Sequence, residues 1–259
     1  MSYFLLLILS PFIYVISTAL FASIYKKNNE SKTYEIKDLA YYLLIEIALQ
    51  FIVFIMLPFD LLRKWGNFKG DKEKMVILLP GYTETQFIFY KLKKRLSKKK
   101  IGYEVLRYHP FLGSLSTQIN ALENSVLKVI QSNPNIKIYL VGHSMGGLIG
   151  RKYVETCEYS QIKKLIMVST PHKGTILAKL AIGRSSIDFS PKSNFINELK
   201  TNSLHSALNI YSEGDNLIVP PSSLQYFDKN FILKNSLLHN STMFSNESLN
   251  IMLNEIESA

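Results

Sequence analysis

The chain has 259 residues, of which 47% are hydrophobic and 19% charged, a composition that excludes wholesale disorder and allows one sizeable core. Its single cysteine, Cys157, excludes an internal disulfide. The net charge of +10 comes from the residues after position 60. It would suit binding to nucleic acid or to anionic lipid, or it would serve solubility alone. The most basic stretch, Lys91 to Lys100, lacks the interleaved aromatics of nucleic-acid binders. A membrane surface or a solvated helix face is therefore the simpler interpretation, and no nucleic-acid partner is predicted.

Two apolar runs open the chain. Residues 3–25 carry no charge and residues 39–57 carry one, so each run is long enough to cross a bilayer, which takes about 20 apolar residues. A signal peptide, cleaved near Ser17-Thr18-Ala19, is the alternative for the first run. No Lys or Arg precedes this run, and it exceeds a typical signal core, which favours a retained anchor. We therefore predict a membrane anchor of two transmembrane helices within residues 1–60, followed by a linker at 61–73.

The one charge of the second run, Glu46, lies four residues before Gln50, so the two side chains share a helical face. An intramembrane carboxylate is by default a candidate for function. Because nothing else in this half of the chain indicates transport, we favour helix pairing with Ser10, Ser17 or Thr18 of the first run, or an interfacial position for the carboxylate.

The membrane side of the larger part of the chain is weakly encoded. Lysines 26, 27, 32 and 37 lie around the connector between the two runs, and basic residues 63, 64, 69, 72 and 74 follow the second run. Since positive charges favour the cytoplasmic side, five against four slightly favours a cytoplasmic location for residues 74–259.

Strand and helix patterns alternate through residues 74–259. Buried strands are predicted at 75–79, 103–108, 136–141, 164–169, 207–211 and 230–233, and helices at 85–99, 117–131, up to 157 and at 249–256. Residues 175–205 are mixed and in part helical. This alternation predicts an α/β domain with a mainly parallel sheet of about six strands and helices on both faces.

A serine lies between the third predicted strand and its helix, in the pentapeptide Gly142-His143-Ser144-Met145-Gly146. The sequence G-x-S-x-G in this context indicates a sharp strand-to-helix turn that exposes the serine hydroxyl. Gly142 and Gly146 leave room where the backbone crowds, and Gly147 allows the helix to pass close over the sheet. Ser144 is therefore the predicted nucleophile.

A serine nucleophile needs a base, and the base needs an orienting carboxylate. His239 and Asp215 each follow a predicted strand, and catalytic side chains gather at the carboxyl ends of parallel strands. The order Ser144, Asp215, His239 is typical of nucleophile-elbow hydrolases. Glu213 is the substitute acid, and His109 is a weaker candidate for substrate contact.

Two backbone N–H groups must stabilise the oxyanion of such a reaction. One is expected from Met145, the residue after the nucleophile. The other is expected from the turn after the first domain strand, where Tyr82 is the choice and Thr83 the alternate.

These motifs resemble α/β-hydrolase lipases and esterases, in particular compact bacterial triacylglycerol lipases. The likeness rests on GHSMGG (142–147), STPHKGT (169–175), SEGDNLIVPP (212–221) and the late His239, and it covers about residues 74–257. It implies the α/β-hydrolase fold and ester hydrolysis through an acyl-serine, without metal or cofactor. Such lipases usually carry His-Gly at the oxyanion turn, where this chain has Pro80-Gly81.

The sequence thus predicts a membrane-anchored serine hydrolase that cleaves carboxylic esters, of lipids in particular, with the bilayer and a lipid or ester substrate as partners. An acyltransferase or thioesterase would use the same triad and stays open as an alternative. A non-catalytic membrane protein of the same fold is the other alternative.

Overall fold

The computed structural model describes residues 2–30, 36–62, 67–200, 207–227, 229–235 and 237–258. The helices are α1 (Ser2–Glu30), α2 (Ile36–Leu62), α3 (Tyr90–Lys98), α4 (Leu115–Ser132), α5 (Met145–Val154), α6 (Arg184–Asp188), α7 (Asn194–Asn197) and α8 (Asn246–Glu257). The strands are β1 (Asp71–Leu79), β2 (Ile101–Val105), β3 (Lys137–His143), β4 (Ile162–Val168), β5 (Ala207–Tyr211) and β6 (Asn230–Ile232). Single 3₁₀ turns lie at Gln86–Phe89, Ile176–Leu180, Pro221–Leu224 and Asn240–Phe244.

The six strands form one sheet in the order β2-β1-β3-β4-β5-β6, and every neighbouring pair is parallel. The predicted parallel sheet is confirmed. Its central strands are almost continuously apolar because helices cover both of their faces. The carboxyl ends of β3, β4 and β5 therefore meet at one edge, where the candidate catalytic residues follow.

Alternate residues of the strands point into two separate cores. Ile77, Leu140 and Met167 pack beneath α4 and α5, while Leu78, Val141 and Val168 pack beneath α3 and α8. The period of two along each strand produces this division, and helices on both faces are confirmed.

The two N-terminal runs form long helices, and each contains a stretch apolar and long enough to cross a membrane, Leu9–Asn29 and Ala40–Asp60. By length and composition alone this is weak evidence of spanning, since core helices and signal sequences share it. The helices pack against each other, as the Phe12 and Phe51 rings show at 6.2 Å. α2 also packs against the turns at Gln86–Phe89 and Asn240–Phe244.

Several predicted boundaries were wrong. α2 continues through Pro58 to Leu62 and β1 begins at Asp71, so the predicted linker at 61–73 is shorter at both ends. The second strand lies at 101–105 rather than 103–108. The prediction that residues 175–205 are helical in part agrees with the short helical pieces at Ile176–Leu180, Arg184–Asp188 and Asn194–Asn197, while residues 201–206 lie outside the described part of the chain.

Candidate active site

Ser144 lies on the sharp turn between β3 and α5, with φ of 52° and ψ of −121°. A residue with a side chain rarely adopts this backbone conformation, and the surrounding glycines leave the space that the turn requires. A Cβ on Gly142 would lie 2.6 Å from the backbone of Gly146, and a Cβ on Gly146 would collide with the carbonyl oxygen of Leu79. The predicted roles of both glycines follow from these close approaches.

Asp215 and His239 are paired and almost fully buried, with His239 Nδ1 2.8 Å from Asp215 Oδ2. The other carboxylate oxygen of Asp215 accepts hydrogen bonds from the amides of Leu217 and Ile218 at 2.8 and 3.0 Å. Both carboxylate oxygens are therefore fixed by hydrogen bonds. Because Nδ1 of the imidazole is taken up by Asp215, Nε2 is the nitrogen left to accept a proton.

The pairing shifts both pKa values. Burial alone would lower the pKa of His239, but the charge of Asp215 and its hydrogen bond raise it, with smaller contributions from Glu84 and Glu46. Burial alone would raise the pKa of Asp215, but His239 and the amides of Leu217 and Ile218 hold it below its ordinary value. The pair thus favours a carboxylate that stabilises an imidazolium.

A cavity of about 500 Å³ lies over this edge of the sheet, within the ordinary range for ligand sites. Ser144, Met145, Tyr82 and His239 all line it, so the fold brings the predicted site residues to one space. Within the described residues no hydrogen bond joins the Ser144 hydroxyl to His239. Such bonds are often long in enzymes without substrate.

The amides of Met145, Tyr82 and Thr83 have no hydrogen-bond acceptor among the described residues, and all three residues line the cavity. The neighbouring Gly81 amide, in contrast, donates to the Glu84 carboxylate. The turn therefore offers Tyr82 and Thr83 as free donors. Thr83 has a left-handed φ of 54°, a conformation uncommon for a side-chain-bearing residue.

His143, next to Ser144, contacts both Glu84 and the loop that carries His239. Its Nδ1 lies 2.5 Å from Glu84 Oε1, and its Nε2 donates to the carbonyl oxygen of His239 at 3.3 Å. Glu84, His143 and His239 also bring potential metal-ligand atoms within 4.8 Å of one another. Each of these groups already has a hydrogen-bond partner within the protein. We therefore interpret the cluster as hydrogen-bonded support for the loop that carries His239.

The predicted pairing of Glu46 with polar residues of the first helix was wrong. The carboxylate does not pair with the first helix but accepts hydrogen bonds from the amides of Asn240 and Ser241, at 2.7 and 2.9 Å. Gln50, one turn further along α2, accepts from the Asn240 side chain at 3.0 Å. Glu46 is thus a buried cap on the turn that directly follows His239. In the sequence, the signal for this contact was a single carboxylate within an apolar run.

The first helix contacts the loop that carries Asp215 in the same way. The Lys26 ammonium is buried and donates to the carbonyl oxygens of Glu213 and Asp215, at 2.5 and 3.1 Å. Thr18 accepts a hydrogen bond of 2.8 Å from Asn216, whose side-chain oxygen accepts from the His239 amide at 3.1 Å. Lys26 was counted as a connector charge, which was wrong, and residues 32, 63 and 64 of that count lie outside the described residues.

The remaining candidates lie apart from the cavity. Glu213, the substitute acid, is exposed, while Asp215 holds the histidine. His172 is buried between Arg151 and Asn209, and burial together with Arg151 lowers its pKa to about 3. It is therefore a neutral structural histidine. His109 is not among the residues that line the cavity.

Comparison with protein families gives one match. The family model of palmitoyl protein thioesterase matches residues 92–187, less than half of the chain. The matched part contains Ser144 and ends before Asp215 and His239. No curated protein matches the sequence.

Among solved structures, lipase B of Aspergillus fumigatus is 17% identical and covers 73% of this chain and 53% of its own, with a TM-score of 0.62. The mature lipase BlEst2 of Bacillus licheniformis is 12% identical and covers 73% of this chain and 94% of its own, with a TM-score of 0.57. Phospholipase PlaB of Legionella pneumophila is 18% identical, covers 54% of this chain and has a TM-score of 0.47. The chain spans 39% of the length of PlaB and about half of that of lipase B. At these identities the likeness shows the fold, which is the α/β-hydrolase fold.

Proposed function

We propose that the protein is a membrane-associated serine hydrolase that cleaves carboxylic esters of lipids. The observation that carries this proposal is the buried Asp215–His239 pair, which shares one cavity with a serine on a strained strand-to-helix turn. In this proposal, residues 1–60 attach the protein to the membrane and residues 74–259 perform catalysis.

In the proposed mechanism, His239 Nε2 removes the proton of the Ser144 hydroxyl as Ser144 Oγ attacks the ester carbonyl carbon. The amides of Met145 and Tyr82 stabilise the oxyanion, and Asp215 stabilises the imidazolium. When the carbon–oxygen bond breaks, the alcohol leaves with the proton from His239. Water then attacks the acyl-serine in the same way, releasing the acid and restoring the Ser144 hydroxyl. No step requires a metal or a cofactor.

The lining of the cavity supports a long acyl chain as substrate. Its walls are mainly apolar, and most of the apolar lining residues belong to the N-terminal helices, the turn after β1 and the segment at 177–189. An apolar cavity of this size binds hydrocarbon more readily than a small polar alcohol. Lipid esters combine such a chain with a carbonyl that reaches Ser144.

A thioesterase is the second candidate, and the match to the palmitoyl protein thioesterase model favours it. Its chemistry differs only in the leaving group, a thiol in place of an alcohol. Hydrolysis of palmitoyl-CoA and of an oxygen ester with the same acyl chain, measured in one detergent, would rank the two. An acyltransferase would instead give a new ester when alcohols are added.

The test of the proposal is hydrolysis of p-nitrophenyl esters of increasing chain length, with the wild type and Ser144→Ala. Ser160→Ala is the matched control, because Ser160 is exposed and precedes β4 at the opposite end of the sheet. We expect activity that rises with chain length, vanishes in Ser144→Ala and persists in Ser160→Ala. A fluorophosphonate probe that leaves Ser144 unlabelled in folded protein would contradict a catalytic serine.

A further inference from the structure

We propose that α1 and α2 lie along the surface of one leaflet of an anionic phospholipid bilayer rather than across the bilayer, and that the cavity opens into that leaflet between the helices and the segment at 177–189. This replaces the transmembrane hairpin predicted from the sequence. The assignment of the opening as an entrance for acyl chains rests on the proposed function, whereas the placement of the helices does not.

The first argument is the length of helix that contacts the hydrolase domain. On α2, Glu46 binds Asn240 and Ser241, while Asp60 accepts from the amide of Gln86 at 2.9 Å. These contacts lie fourteen residues apart, about 21 Å along the helix at 1.5 Å per residue. They extend over most of the candidate span Ala40–Asp60, so no long section of α2 is free to be surrounded by lipid on all sides.

A spanning α2 would therefore carry the loop around Asn240 down to the hydrocarbon core. Loops and turns at that depth expose backbone groups without hydrogen-bond partners, which hydrocarbon does not tolerate. The same holds for α1, where Thr18 binds Asn216 and Lys26 binds the carbonyl of Asp215. Helices parallel to the membrane keep these loops on the aqueous side.

The second argument is the pattern of exposure on α1. Its buried side, which includes the Thr18 contact with Asn216, carries Val15, Thr18, Ala19 and Ala22. The opposite side is a continuous exposed stripe at helical spacing, formed by Leu9, Ile13, Ile16, Leu20 and Ile24. On α2, Leu44 is 69% and Phe59 59% exposed. Protein therefore covers one side of these helices, and the exposed apolar side is left to contact the acyl region of one leaflet.

The third argument is that the segment at 177–189, which forms the rim of the cavity opposite the helices, is also apolar and exposed. Leu180 and Ile182 line the cavity, yet they are 80% and 71% exposed. The Tyr82 hydroxyl donates to the Ile182 carbonyl and accepts from its amide, which holds this segment at the opening. Exposed Lys179 and Arg184 flank the two apolar residues and complement anionic headgroups. Both rims are thus suited to one lipid surface.

The experiment uses single cysteines in a Cys157→Ala background of the full chain, expressed into sealed membrane vesicles. Asn29→Cys reports the side of the membrane on which the end of α1 lies. Asn254→Cys, at an exposed position of α8, reports the side of the hydrolase domain. A membrane-impermeant maleimide distinguishes the two arrangements, because a hairpin places residue 29 and the hydrolase domain on opposite sides. We expect both cysteines to react from the same side, and Leu20→Cys to react only after detergent is added.

Reaction of Asn29→Cys and Asn254→Cys from opposite sides would overturn the proposal in favour of a transmembrane hairpin. Free reaction of Leu20→Cys in protein that does not sediment with vesicles would overturn it in favour of a soluble helix pair. Each cysteine variant is also prepared with Ser144→Ala. Labelling is expected to be unchanged by this substitution, so an absence of esterase activity leaves the topological result intact.

Discussion

The carboxylate of Glu46 accepts a 2.7 Å hydrogen bond from the backbone amide of Asn240, the residue that follows His239. These two residues are 194 positions apart, and they connect a helix of membrane-like composition to the catalytic histidine proposed here. The N-terminal helices are therefore part of the site's framework, in addition to the membrane attachment that we propose for them.

We expect Glu46→Gln to lower kcat/KM about 5- to 10-fold, since two charged hydrogen bonds weaken by about 1 kcal/mol together. The acid limb of the pH–rate profile should also move slightly to lower pH, because the Glu46 charge contributes to the raised pKa of His239. The shift is small because burial raises the pKa of Glu46 itself to about 7, so that part of its charge is already lost there. Glu158→Gln, an exposed carboxylate at the far end of the sheet, is the control. A loss of activity with an unmoved pH profile would indicate a purely structural role.

Asp215→Asn should reduce kcat/KM by roughly 10³- to 10⁴-fold, because an amide leaves the imidazolium without its counter-charge and favours the wrong tautomer. Glu213→Gln provides the comparison, since Glu213 lies two residues away with an exposed side chain. Steady-state kinetics on one long-chain ester would decide between them. Equal effects from the two substitutions would contradict the assignment of Asp215.

The pH dependence of the wild type follows from His239. The base must be neutral to accept a proton, and its pKa is raised by Asp215. Activity should therefore be present above that pKa and fall as the pH drops through it. The midpoint of the acid limb of kcat/KM is expected above the ordinary histidine value of about 6.5. A midpoint well below this value would show that the Asp215 contact is not maintained in solution.

Much of this arrangement could be predicted from residues close in sequence. The elbow at Ser144 is a local pattern of a buried strand, two glycines and a helix, and the structure has that geometry. The meeting of Asp215 and His239 could be anticipated because parallel strands end at one edge. The catalytic roles of these residues remain predictions.

The docking of the first two helices could not be predicted. Thr18, Lys26 and Glu46 each bind a backbone or side-chain group about 190 residues away, and no periodic pattern encodes such a partner. The apolar residues around these three positions led to the prediction of a transmembrane hairpin. Polar residues along one face of an apolar helix indicate only that something covers that face.

Lys26→Met should lower the thermal stability of the detergent-solubilised protein, because the carbonyls of Glu213 and Asp215 lose a charged donor worth about 1 to 3 kcal/mol. Activity should fall with it, since these carbonyls belong to the loop that carries the acid. Lys27→Met is a matched control, being adjacent and exposed. Equal melting temperatures for the two variants would mean that the contact contributes nothing to stability.

Gly146→Ala tests whether the strained turn is required. The new Cβ would collide with the backbone carbonyl of Leu79, which belongs to a central strand and cannot move aside cheaply. We expect loss of esterase activity and of fluorophosphonate labelling, with a destabilisation of about 1 to 3 kcal/mol in thermal unfolding. Gly150→Ala is the control on the same helix, because its Cβ would meet the ends of two side chains and no backbone, with Leu165 Cδ1 at 2.7 Å and Leu79 Cδ1 at 3.1 Å. If both variants kept wild-type labelling, the close passage of α5 over β1 would not be what presents Ser144, and the elbow interpretation would fail.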